Sequence, residues 1–377
     1  MKDKSLRLYN FLIIILLSST LFQACNEDTQ ITDCNTTFDQ SAMFTNIAYN
    51  LILPAYDDLQ NQVDNLYTKI NLFVTAPTVV TLEEVRMAHI EAYLAWQKAA
   101  QYEFGPAEEV FLRSVCNNFP ANIEEIESNI QAEMYKADAF DTYDKGFPAL
   151  DYLLFGIAEN NNNLIVEKYI NQQGYCQYLK DIVVDMQERI TTVNDAWKNG
   201  YTGTFINRRG TAAGTSLSLL VNALNQNYEL IKREKLGIPS GVLTLDFPNP
   251  ERVEAPYSGQ SIRFVIAALE ASQNLYLGVS NTGQNGLGLD DYLLEVDAKK
   301  ADGTSLNTAI QERFQTAINT ATNLGENNRL DELINTDRTS SVSAYNDVVK
   351  QLVNIKTDMP SVLCVSITYV DNPSDTD

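Results

Sequence analysis

Long apolar stripes at helical spacing constrain this chain more than any other feature. Ile52, Tyr56, Leu59, Val63, Leu66 and Ile70 follow one another at steps of four and three, so they share one helix face. Leu179, Ile182, Met186, Ile190, Val193 and Trp197 form a second stripe, and Leu217, Leu220, Leu224, Tyr228 and Ile231 a third. A further helix is expected after Thr81, which can form a capping box with Glu84, running to about Phe104, where Gly105-Pro106 ends it. The same spacing predicts helices near 258–277, 305–324 and 341–358. Strand-like alternation is scarce; only Val362 to Tyr369 reads as a short extended segment. Each stripe must be buried against a neighbour, so the expected fold is all-α with bundle packing.

The length after residue 24, about 350 residues, suits two domains. The boundary falls in the Gly/Thr/Asn-rich stretch from Gly200 to Gly210, giving helical bundles over 43–205 and 206–377. The irregular segment from Pro239 to Pro256 is long enough to be functional or to lie at a domain interface.

The first residues read as a processing segment. Lys2, Lys4 and Arg7 precede an apolar run, Phe11 to Leu17, too short to span a bilayer. Leu21-Phe22-Gln23-Ala24-Cys25 then places a small residue directly before a cysteine, the pattern cut by lipoprotein signal peptidase. A lipoprotein signal over 1–24, lipid attachment at Cys25 and a polar tether over 25–42 are therefore expected. An ordinary secretory signal would export the chain equally, and Asn26-Glu27-Asp28 resembles a surface-export signal. The partner implied is the outer membrane, through the lipid; the location is the bacterial envelope, periplasmic or surface-exposed.

Acidic residues number 49 against 27 basic ones, for a net charge of -22, and no Lys/Arg block interrupts them. Nucleic acid is therefore a poor partner. Cys34, Cys116, Cys176 and Cys364 permit two disulfides in three connectivities, and contain no CxxC.

Catalytic motifs are missing. There is one histidine, His89, and no HExxH, GxSxG, P-loop or GxGxxG. A lone helical histidine is more often a surface or packing residue than a ligand. The segment that stands out is Lys145-Gly146-Phe147-Pro148-Ala149-Leu150-Asp151-Tyr152-Leu153-Leu154-Phe155-Gly156. Gly146 opens a helix, Pro148 suits its first turn, and Asp151 is placed in that same turn, where the helix dipole favours an acid.

Several blocks together resemble the imelysin family, also called M75 peptidase-like. They are Asn50 to Tyr56, Ala95 to Pro106, Asn117 to Pro120, Gly146 to Gly156, Lys235 to Pro239, Val253 to Ser261 and Thr368 to Asp371, colinear over nearly the whole chain. The resemblance implies two helical-bundle domains with a crevice between them, an envelope location and links to iron uptake. Family members carry GxHxxE on the signature helix; here Gly146 is kept, Pro148 stands at the histidine and Asp151 at the glutamate. A His and a Glu three residues apart could grip one metal ion, whereas proline offers no ligand atom. The motif is degenerate, so no catalytic and no metal-binding residue is assigned.

The expected crevice lining is Asp151 and Tyr152 with Glu254, Tyr257, Ser258 and Ser261, and with Arg209 to balance the acids. Ser258 and Ser261 could instead cap the helix that follows. The reading is a non-enzymatic envelope protein that binds a ligand or partner protein, with no cofactor. The alternatives are a metal-dependent peptidase with a rearranged carboxylate site, and a direct iron binder using Asp151, Glu254 and tyrosines.

Overall fold

The computed structural model describes residues 37–138 and 142–369; the leader, Cys25, Cys34 and most of the expected tether lie outside them. Among the described residues there are helices and two isolated bridges but no strand, and no helix is long and apolar enough to cross a membrane. The described residues belong to one compact unit.

Helix α1 (Gln40–Asn46) starts inside the stretch expected to be tether, because the Asp39 side chain accepts the Ala42 N–H at 3.0 Å and caps it. A wider turn, Ile47–Ile52, leads into α2 (Leu53–Thr75). Pro54 lacks the N–H that a continuous ladder would need, and it falls in the first turn of α2, just after the wider turn ends. Tyr56, Leu59, Val63, Leu66 and Ile70 are all fully buried, each contributing about 1.5–3 kcal/mol of apolar burial.

Helix α3 (Val79–Ala99) begins earlier than the sequence pattern indicates. Its cap is Thr78, not Thr81: the Thr78 hydroxyl accepts the Thr81 N–H at 3.1 Å and the Thr81 hydroxyl accepts the Thr78 N–H at 3.1 Å. Glu84, expected in that box, instead pairs with Lys69 of α2 at 3.0 Å. Helices α4 (Gly146–Asp151) and α5 (Gln173–Ala196) complete the N-terminal half, with α5 packed on α2. The C-terminal half contains α6 (Ser216–Leu230), α7 (Ser261–Leu277), α8 (Leu289–Glu295), α9 (Leu306–Thr322) and α10 (Arg338–Leu352). Helix α7 packs on both α9 and α3, which joins the halves. The segment expected to be extended near the C-terminus forms no strand; Met359–Val362 is helical and the residues after it are irregular.

Residues far apart in sequence hold α1. The Asn46 amide donates to the Gly278 and Leu287 carbonyls at 2.8 and 3.0 Å. Gln40 donates to the Tyr292 hydroxyl at 3.2 Å, and the Phe38 ring stacks on Tyr292 at 4.4 Å. Of the cysteines, Cys116 and Cys176 are buried free thiols and Cys364 is disulfide-bonded, so the two-disulfide arrangement is corrected. Both thiols are packed among apolar side chains as part of the core, and neither is disulfide-bonded.

Candidate functional site

The signature helix α4 opens on Gly146 at φ 72, where a Cβ would lie 2.3 Å from the Cys116 carbonyl oxygen. Only glycine permits that approach. Asp151 is not in the first turn; it is the last residue of α4, ahead of a wider turn over Tyr152–Gly156. Rather than complementing the helix dipole, its carboxylate faces another segment. It accepts the backbone N–H of Tyr257 at 2.9 Å and of Ser258 at 3.2 Å, and is 1 % exposed. The motif acid therefore pins the 253–261 loop onto the N-terminal half.

Tyr152 and Tyr257 meet edge to face at 5.4 Å, and Tyr152 donates to Glu127 at 2.6 Å. Burial, then Glu127, pushes the Tyr152 phenol far up; burial, then Asp151, raises Tyr257. The Ser258 hydroxyl is buried without a partner among the described residues. Neither serine caps α7. Its cap position is Gln260, with no side-chain cap bond, and the Ser261 hydroxyl instead sits 3.4 Å from both the N–H and the carbonyl oxygen of Ala255.

The lone histidine lies here too. His89 is fully buried on α3, and its Nε2 is 3.8 Å from Asp151 Oδ1, too long for a hydrogen bond. Neither ring nitrogen has a hydrogen-bond partner among the described residues. Asp151 lies sixty-two positions after His89, so no local spacing links the two. Pro148 is buried and offers no donor.

Glu254 forms a separate centre. It is 1 % exposed and accepts from Gln97 at 3.0 Å, from Asn117 at 2.9 Å and from the Lys235 ammonium. Lys235 also donates to Gln97 Oε1 at 2.8 Å. Burial lowers the Lys235 pKa, and the Glu254 charge and hydrogen bond oppose that shift. The Tyr93 hydroxyl donates to Asn117 Oδ1 at 2.5 Å, and burial, followed by Glu254, holds this phenol protonated. Gln97, Asn117 and Lys235 have their other faces on a cleft of about 380 Å³ between the two halves of the sequence.

Of the seven expected lining residues, Asp151, Tyr152, Tyr257 and Ser258 come together, Glu254 lies in the neighbouring network, and Ser261 braces the loop between them. Arg209 is exposed, on a loop whose Gly210 N–H donates to Gln40, and its side chain pairs with none of the acids. His89, Tyr93, Gln97, Asn117 and Lys235 were missed. The first three recur every fourth residue on α3, a line of buried polar side chains whose spacing could have marked them.

An all-helical chain whose Gly-x-x-x-x-Asp helix is clamped by a loop from the second half of the sequence belongs to the class of helical-bundle proteins. The imelysin family profile (Peptidase M75) matches residues 52–355, and the chain belongs to that family. Its fold is similar to that of a putative iron-regulated protein A precursor from Parabacteroides distasonis, at TM-score 0.69 and 16% identity over 86% of this chain and 96% of that one. An imelysin-like protein from Psychrobacter arcticum is similar at TM-score 0.67 and 17% identity over 88% and 97%. No curated protein matches the sequence.

Proposed function

We propose that the protein is a lipid-anchored, non-enzymatic binding protein of the bacterial envelope. It takes a ligand or a partner protein in the crevice between its halves, in iron or nutrient acquisition. The observation that carries this reading is the employment of Asp151. Both carboxylate oxygens accept backbone N–H groups, and the position three residues before it is a buried proline, so the paired ligands of the family motif are not assembled. A catalytic metal needs about three protein ligands and an open position. No cluster of three His, Cys, Asp or Glu side chains suited to a metal exists among the described residues, so the donor set does not fit. Tyrosine–iron(III) binding uses phenolates, and burial drives Tyr93, Tyr152 and Tyr257 away from that form.

One observation favours a metal-dependent peptidase instead: the unpartnered His89 imidazole 3.8 Å from Asp151. The deciding experiment uses the soluble chain from Asn26 with a broad peptide library, with and without chelator, and titration with iron(III) citrate, zinc and calcium. Chelator-sensitive cleavage lost in Asp151→Ala would overturn the binding reading. The anchor is tested by metabolic labelling with palmitate, which Cys25→Ser must abolish.

A further inference from the structure

The cleft beside Glu254 carries more information than its place between the halves. Trp96 and Asn227, both lining it, are 0 % and 4 % exposed. Yet Trp96 Nε1 and Asn227 Nδ2 have no hydrogen-bond partner among the described residues, and neither has Arg113 Nε on the same wall. All three are donors with no acceptor role at that atom. Buried donors normally find partners, and an orphan costs about 1–3 kcal/mol. All three belong to residues that line one cleft, where a small shift of these side chains would bring the donors to the oxygen atoms of a bound molecule.

Charge points the same way. In a chain of net charge -22, the cleft wall holds four cations, Arg113, Arg233, Lys235 and Arg252, against one acid, Glu234. Arg233 is paired with Glu234 at 3.0 Å, and Lys235 with Glu254 behind the wall. Arg252 is half-buried with no side-chain partner among the described residues. Arg113 donates from its Nη2 to the Ala100 carbonyl and to Asn227 Oδ1 at 3.4 Å, and its guanidinium carbon is 6.0 Å from the Trp96 ring centroid. Phe119 and Tyr143 add aromatic surface to the lining. At about 380 Å³ the space lies in the small-molecule range.

We infer that this cleft binds a small organic anion, its carboxylate or phosphate head on Arg113, Asn227 and Arg252 and its unsaturated body against Trp96 and Phe119. The inference rests on the proposed binding function and gives that ligand its chemical class. It does not involve Asp151 or any metal. Arginine suits the task because its planar fork meets oxyanions with two parallel bonds.

The test is calorimetry on the mature chain with benzoate, phenyl phosphate, inorganic phosphate and the neutral benzyl alcohol. Three variants accompany it: Arg252→Ala, Arg252→Lys and the cleft-filling Leu230→Trp. Arg252 has no partner to lose, so its replacement leaves the fold intact, which circular dichroism checks. The expected result is binding of benzoate or phenyl phosphate, the better of the two naming the head group. Binding should weaken about tenfold or more in Arg252→Ala, be partly restored in Arg252→Lys and vanish in Leu230→Trp. Inorganic phosphate should bind more weakly than either. Binding of benzyl alcohol as tight as that of the anions, lost only in Leu230→Trp, overturns the anion class and leaves a binding cleft. Binding of the anions unchanged in Leu230→Trp places the site elsewhere and overturns the inference. No heat from any probe at millimolar concentration overturns it as well. Whether the binding function itself survives is then read from an unbiased ligand screen of the same preparation.

Discussion

Replacing Asp151 by alanine distinguishes a clamp from an active-site acid by the sign of its effect on stability. The carboxylate accepts two backbone N–H groups from the 253–261 loop and is 1 % exposed, so water cannot readily replace it. Each orphaned donor costs about 1–3 kcal/mol, giving roughly 2–6 kcal/mol for the pair. At about 2 °C per kcal/mol for a chain of this size, the melting temperature should fall by about 4–12 °C. Asp151→Asn keeps one acceptor oxygen and should lose about half as much. Ser258→Ala, which removes a hydroxyl with no partner, should be neutral or slightly stabilising. Thermal unfolding followed by circular dichroism reads all three. Residues kept for chemistry commonly lower stability, so removing them raises it. An Asp151→Ala protein as stable as the wild type, or more so, would refute the clamp.

His89→Leu should leave stability within about 1 kcal/mol of the wild type or raise it, since an unsatisfied imidazole is exchanged for an apolar group; a loss above about 2 kcal/mol in urea unfolding would show that its nitrogens are partnered. Lys235→Met strands Glu254 as a buried charge and should cost about 3–5 kcal/mol by the same assay; a loss below about 1 kcal/mol would show that Glu254 is not held by Lys235. The Asp290 carboxyl is pushed up to about 6 by burial, with Asp291 adding to it, so the folded state keeps a proton that the unfolded state has released above pH 4. Its stabilising contribution is present below the unfolded value and is lost as pH climbs through 6. Asp290→Asn should therefore stabilise the protein at pH 7.5 by about 1–2 kcal/mol, discounted for partial exposure, and the gain should shrink towards zero at pH 4. Finally, Cys116 and Cys176 should resist alkylation in the native protein and react on unfolding, as mass spectrometry can count; rapid native labelling would contradict their burial.

The helices were legible because periodicity is a local signal: the stripe from Tyr56 to Ile70 appears in the structure as the buried face of α2. Helix ends were less legible. Thr81 carried a plausible capping pattern, but Thr78 follows Pro77 in extended conformation and takes the cap, while Glu84 is drawn to Lys69 on another helix. The family's order of blocks located the signature helix. The degenerate motif could not show what Asp151 does, because its donors are backbone groups of residues 257 and 258, and a backbone N–H leaves no trace in side-chain spelling. The Lys235–Glu254 pair was hidden for a related reason. Both residues stood in blocks that resembled the family, yet only tertiary packing shows that they meet Gln97 and Asn117 from the other half.

The fastening of α1 has a consequence for time rather than for energy. Asn46 is held by the carbonyls of Gly278 and Leu287, and Gln40 by Tyr292. A chain made N-terminus first, at about 5–20 residues per second, must wait roughly ten to fifty seconds between the emergence of α1 and that of its clasp. Throughout that interval the front of the molecule has no finished seat, and its apolar stripe stays open to whatever escorts the chain. A polypeptide that must be threaded elsewhere before it folds would be served by such a delay. Shortening the interval by circular permutation, with α1 moved behind residue 369, should give a protein of similar stability that closes sooner and is less easily kept unfolded.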